Sequence, residues 1–92
     1  MSYTIHNYSC DTIFVQYKQT WPTDLITKLN SKTVEYHIDD GYQFEIWERS
    51  NNQDTSWGQL VIDNGANVYV YGRYRWDLNP QQEPKKPICP PD

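Results

Sequence analysis

The sequence predicts a small all-β domain, a six- to seven-stranded antiparallel β-sandwich or partly open barrel with a proline-rich C-terminal tail. Three observations predict it. One Ala stands against eight Tyr, seven Ile and five Val, a composition of strands rather than helices. Apolar residues recur with period two in short runs bounded by turn residues. A chain of 92 residues allows one domain and no more.

Each element follows from that periodicity. Residues 3–7 alternate into Ile5, and residues 12–18 place Ile13, Val15 and Tyr17 on one face. Residues 23–29, with Thr23 or Asp24 as cap, are the one stretch open to a helix, too short to stand without packing. Val34, Tyr36 and Ile38 then share a face, with Glu35 and His37 opposite. Asp39-Asp40-Gly41 supplies a turn, after which Phe44 and Ile46 resume the inward set. Leu60 and Ile62 precede Asp63-Asn64-Gly65, a turn whose Asn and Gly tolerate positive φ. The last run carries Val68 and Val70 through Gly72 and Tyr74 to Trp76. Three hairpins are expected, over residues 3–18, 33–48 and 58–76.

Residues 1–78 read as the domain and 79–92 as the tail, which holds five of the six prolines. Proline fixes φ and lacks an amide donor, so the tail cannot join a central strand and is expected to be extended. Cys10 and Cys89 lie near opposite ends, and an even count permits one bridge, within a chain or between two. An unrelated pair of free thiols is the alternative. The N-terminus has no basic and apolar leader, so the chain is either cytosolic or lacks a leader that was removed. The cysteines favour a secreted or extracytoplasmic location. Asn7-Tyr8-Ser9 fits the glycosylation sequon, a triplet common by chance.

Composition also excludes. A net charge of −4 argues against nucleic acid as partner, since phosphate binding rests on clustered Lys and Arg. No apolar run approaches the ~20 residues of a membrane helix. His6 and His37 fall at outward positions on different strands, and two His with two distant Cys give no zinc-ligand spacing. Asp39, Asp40 and Asp63 are explained as turn residues rather than a catalytic carboxylate pair. The chain reads as a non-enzyme with no metal and no cofactor.

The aromatic residues, 15% of the chain, are the informative excess. Indole and phenol rings combine an apolar face with a polar tip, as wet binding surfaces require. Alternation puts Tyr69, Tyr71, Arg73 and Arg75 opposite Val68 and Val70, and Trp47 opposite Phe44 and Ile46. The ligand-binding residues expected are therefore Trp47, Trp57, Tyr69, Tyr71, Arg73 and Arg75. The competing reading makes these rings the inner layer of a second sheet. A carbohydrate is the expected partner. The alternative is a protein, bound through the Tyr/Arg face, a sheet edge or the proline tail. Unprotected edges also allow a homodimer.

Residues 3–15, YTIHNYSCDTIFV, resemble the opening of thaumatin-like proteins: an aromatic-x-Ile-x-Asn strand, a Cys and a second β-branched strand. Residues 29–41, LNSKTVEYHIDDG, and 46–49, IWER, are similar to the next two strands of that family. The resemblance implies a secreted sandwich that contacts glucans or defence-related partners. It also implies a bond from the first cysteine to one beside the C-terminus, here Cys89-Pro90. This chain departs from the family in its short length and in the polar, Cys-free segment from Ser50 to Trp57. None of the family's acidic-cleft residues is carried over.

Overall fold

Alternating β-branched and aromatic residues form eight strands in the computed structural model, which describes residues 2–17, 24–35 and 42–91. They are β1 (Ser2–Asn7), β2 (Thr12–Tyr17), β3 (Asp24–Ile26), β4 (Ser31–Glu35), β5 (Tyr42–Ser50), β6 (Gln53–Ile62), β7 (Asn67–Gly72) and β8 (Arg75–Leu78). Two four-stranded sheets result, a first in the order β4-β1-β7-β8 and a second in the order β3-β2-β5-β6. The all-β, two-sheet architecture is the one expected, and neither sheet closes into a barrel. Among the described residues no helix is long and apolar enough to cross a membrane.

The period-two residues fill the space between the sheets. Ile5, Val68 and Val70 come from the first, and Ile13, Val15, Phe44, Ile46, Leu60 and Ile62 from the second. The Tyr3 ring meets Phe44 edge-on at 4.8 Å between centroids, a contact from β1 to β5 across the core. Burying a side chain of this kind stabilises by roughly 1.5–3 kcal/mol, so this layer is the main source of stability.

Strand pairing differs from the three hairpins expected. Periodicity assigns a residue to a face and leaves its neighbouring strand undetermined. β1 lies between β4, antiparallel, and β7, parallel, whereas β2 pairs with β3 and β5. The chain thus crosses between sheets where hairpins were expected over residues 3–18 and 58–76. The Asp63-Asn64-Gly65 turn does form, with Gly65 at φ 76°, but it turns the corner from β6 to β7. Likewise β4 and β5 belong to different sheets. The expected turn at 39–41, with Tyr36, His37 and Ile38, lies outside the described residues. The actual β5–β6 hairpin closes on Asn51 and Asn52, at φ 52° and 61°, the primed geometry that asparagine tolerates.

Residues 24–26 form an edge strand on β2, not the helix considered for 23–29; Thr23 lies outside the described residues. So short a helix would make few hydrogen bonds, while the extended chain buries Ile26 in the core.

Two local devices hold the sheets together. Asn7 is fully buried at the end of β1. Its Nδ2 donates to the carbonyls of Asp11 (2.7 Å) and Ile26 (3.0 Å), while its Oδ1 accepts from the Ser9 amide (3.1 Å) and hydroxyl. Asn7 thereby ties the first sheet to β3 of the second. With both Nδ2 hydrogens committed, the Asn7-Tyr8-Ser9 sequon offers no acceptor nitrogen in the folded chain. The second device is a bulge in β6, where the register shifts between Ile46 and Trp47. Gly58 sits there at φ 119°, and a Cβ on it would lie 2.6 Å from Tyr74 Cδ1 and 2.9 Å from the Trp76 ring. Only glycine allows both the backbone angle and the approach of these rings. Tyr74, itself at φ 57°, is held there by its amide, which donates to the Trp57 carbonyl at 2.8 Å.

Cys10 and Cys89 form a disulfide within one chain, 79 residues apart in sequence. Residues 79–91 contain neither strand nor helix.

Candidate functional site

The sandwich turns two aromatic faces outward, one on each sheet. On the second sheet, Phe14 of β2 pairs with Trp47 of β5, and Trp47 with Ser56 of β6, forming a row across three strands. The Phe14 and Trp47 rings lie parallel, 7° apart in plane, with centroids 6.2 Å apart. The Arg49 guanidinium stands 4.8 Å from the Phe14 centroid, so Phe14 is covered and Trp47 stays half-exposed.

Polar groups rim this row in fixed orientations. Trp47 Nε1 donates to Gln16 Oε1 at 3.0 Å, which sets the tilt of the indole. Arg49 grips Asp54 with two bonds, Nε to Oδ1 at 2.8 Å and Nη2 to Oδ2 at 3.2 Å. That grip holds the Asp54 carboxyl below its ordinary range. Glu45 accepts from Ser56 Oγ at 2.7 Å and from Gln59 Nε2 at 3.1 Å. An indole face beside preset amide, carboxylate and guanidinium groups can stack on an apolar patch and hydrogen-bond the hydroxyls around it.

The outer face of the first sheet is different. His6 of β1 stacks on Tyr69 of β7, with centroids 4.2 Å apart and planes 3° apart. Tyr8 meets Tyr69 edge-on at 5.0 Å, with Tyr71 beyond it at 6.4 Å. His6 Nδ1 faces Ser31 Oγ at 2.6 Å and its Nε2 faces Asn67 Oδ1 at 3.3 Å. A tautomer protonated on Nε2 satisfies both partners, with Ser31 donating to Nδ1. Ser31 and Asn67 are both exposed. Among the described residues no group of three or more His, Cys, Asp or Glu is placed to hold a metal ion.

The residues singled out in sequence are therefore divided. Trp47 lies on the outer face of the second sheet, and Tyr69 and Tyr71 lie on the outer face of the first, so these rings do not line one surface. Trp57 is buried in the core cluster. The bulge at Gly58 breaks the alternation that would have turned it outward. The final run is not one strand: it folds back at Arg73 and Tyr74, so the expected stripe ends at Tyr71. Arg73 lies 5.3 Å from the Tyr74 centroid, and Arg75, paired with Gly72, begins β8; both are exposed. Phe14, Gln16, Arg49, Asp54 and Gln59 were not singled out. Phe14 and Gln16 carry the outward parity opposite Ile13 and Val15, but only the β2–β5 pairing brings them to Trp47.

The phenols of the first sheet titrate late. Burial, then the hydrogen bond to Glu83, pushes Tyr8 up to about 12, and burial with the bond to Asp77 does the same for Tyr71. Both groups favour the neutral phenol when folded, so their contribution to stability is complete below pH ~10 and is lost as pH rises through about 12. Thermal melts are expected to fall steeply above pH ~10, less so in Tyr8→Phe. A melting temperature flat to pH ~12 would contradict this.

Comparison with protein-family models, with curated proteins and with solved structures finds no match.

Proposed function

We propose that this protein is a non-enzymatic binding module that holds a carbohydrate on the outer face of the second sheet, around Trp47. The observation that carries the reading is the Phe14–Trp47 row with its rim of Gln16, Glu45, Arg49, Asp54 and Gln59. Sugars present apolar C–H faces ringed by hydroxyls, the complement of an indole set among preorganised polar groups. The resemblance of the opening strands to thaumatin-like proteins supports the same ligand class. The intrachain disulfide is compatible with an extracytoplasmic setting. A protein partner is the second reading, favoured by Arg73, Tyr74 and Arg75 exposed together at the β7–β8 turn.

A glycan array and an insoluble-glucan pull-down on the oxidised protein test the proposal. Trp47→Ala is expected to weaken the bound glycan by about 1–2 kcal/mol, roughly five- to thirtyfold. Tyr71→Ala, on the opposite face, should leave binding unchanged. Full affinity in a folded Trp47→Ala variant would remove the site. A blank array with folded protein would favour the protein partner.

A further inference from the structure

Tyr8 and Tyr69 are both buried, yet neither belongs to the core cluster between the sheets. They lie on the outer face of β1 and β7, where the C-terminal tail returns. Three points fasten the tail. Asn79 exchanges bonds with Asn67, its Oδ1 accepting from the Asn67 amide and its amide donating to the Asn67 carbonyl, both at 2.8 Å. Glu83 Oε1 accepts from the Tyr8 hydroxyl at 3.0 Å. Cys89 is bonded to Cys10, and Lys28 Nζ donates to the Pro90 carbonyl at 3.0 Å beside it.

Half-buried and exposed residues are interleaved along the tail. Pro80, Pro84 and Pro87 are half-buried, while Gln81, Gln82, Glu83, Lys85 and Lys86 are exposed. Pro84-Lys85-Lys86-Pro87 thus turns its prolines one way and its lysines the other. A polyproline helix has three residues per turn, so prolines three apart share a face. An aromatic-lined surface meeting the proline face of such a helix is a known mode of peptide recognition.

We propose that the outer face of β1 and β7 is a groove for a proline-rich strand, filled in cis by this chain's own tail and latched by Cys10–Cys89. When a dithiol reduces that bond, two electrons and two protons convert the two sulfurs to thiols and the dithiol closes to its own disulfide. The tail is then held by the groove alone, and the groove can take the tail of a second copy. The proposal is independent of the carbohydrate site, which lies on the opposite sheet.

The test uses a fluorescent peptide of residues 79–91 with Ser for Cys89, titrated against the full chain. The oxidised protein is expected to bind it at least about tenfold more weakly than the Cys10→Ser/Cys89→Ser variant, because the latched tail competes at high effective concentration. Pro84→Ala/Pro87→Ala in the peptide, or Tyr69→Ala in the protein, should abolish saturable binding. No binding to a folded double variant, or equal binding with and without the latch, overturns the proposal. Should the double variant not fold, Glu83→Ala/Pro84→Ala/Pro87→Ala with the disulfide intact asks the same question. In that variant the peptide should bind, and Tyr8 and Tyr69 should be nitrated several-fold faster than in the parent. Parental nitration rates and no binding would overturn it.

Discussion

Asn7→Ala is expected to lower unfolding free energy by about 3–5 kcal/mol, because it strands several buried polar groups at once. The Ile26 carbonyl loses the Asn7 donor and the Ser9 amide loses its acceptor, while the Ser9 hydroxyl and the Asp11 carbonyl, 3.4 Å apart, are left with only each other. The Ile26 carbonyl and the Ser9 amide are buried and cannot turn to water without opening the 7–11 crossing between the sheets. Asn7→Asp separates hydrogen bonding from shape. A carboxylate keeps the Ser9 contacts but cannot donate to the two carbonyls, so at pH 7 it should cost nearly as much. The buried acid would have a raised pKa when folded, so its stability should recover as pH falls and the group protonates. Urea titrations at pH 7 and pH 4 read both effects. An Asn7→Ala loss below about 1 kcal/mol would mean that the crossing relaxes to satisfy itself.

Cys10→Ser/Cys89→Ser is expected to cost about 4 kcal/mol, near the chain-entropy value for a loop of this length. The denatured chain would also become freer, so the urea m-value should rise while the midpoint falls. Against the 5–15 kcal/mol typical of whole domains, a loss of this size leaves a marginal protein. A change in midpoint without any rise in m would place the effect in the native state instead.

How much of this was legible in the chain depends on which property is asked for. Of the residues that alternation turned inward, Ile5, Ile13, Val15, Phe44, Ile46, Leu60, Ile62, Val68 and Val70 are buried, Tyr17 and Val34 are half-buried against them, and Tyr74, placed with Val68 and Val70, is exposed. The cysteine count permitted a disulfide and compartment logic favoured it, but that it closes within one chain was open until the fold brought Cys10 and Cys89 together. Partnership between strands was hidden, since Ile5 has the same parity whether β1 pairs with β2 or with β7. Trp57 shows the second limit. Counting back by twos from Leu60 puts it outside, but one extra residue at Gly58 turns it into the core. The candidate site on the second sheet was half legible for the first reason. Trp47 was identified as outward, but its neighbours Phe14 and Gln16 lie more than thirty positions away, and only the β2–β5 register brings them together. The hairpin at Asn51-Asn52 did carry a signal, two residues tolerant of positive φ, which the polar run around it obscured.

The position of β1 has a consequence for how the protein is made. β1 is an interior strand of its sheet, and its parallel partner begins at residue 67. Until β7 is available the β1–β4 pair and the whole second sheet can form, but the other edge of β1 stays unpaired and Ile5 lacks Val68 beside it. The first sheet is therefore completed late, and closure of a parallel pair over so long a loop is slow. A nascent chain stalled before β7 exposes an unpaired, apolar strand edge, the form in which small β-proteins associate wrongly.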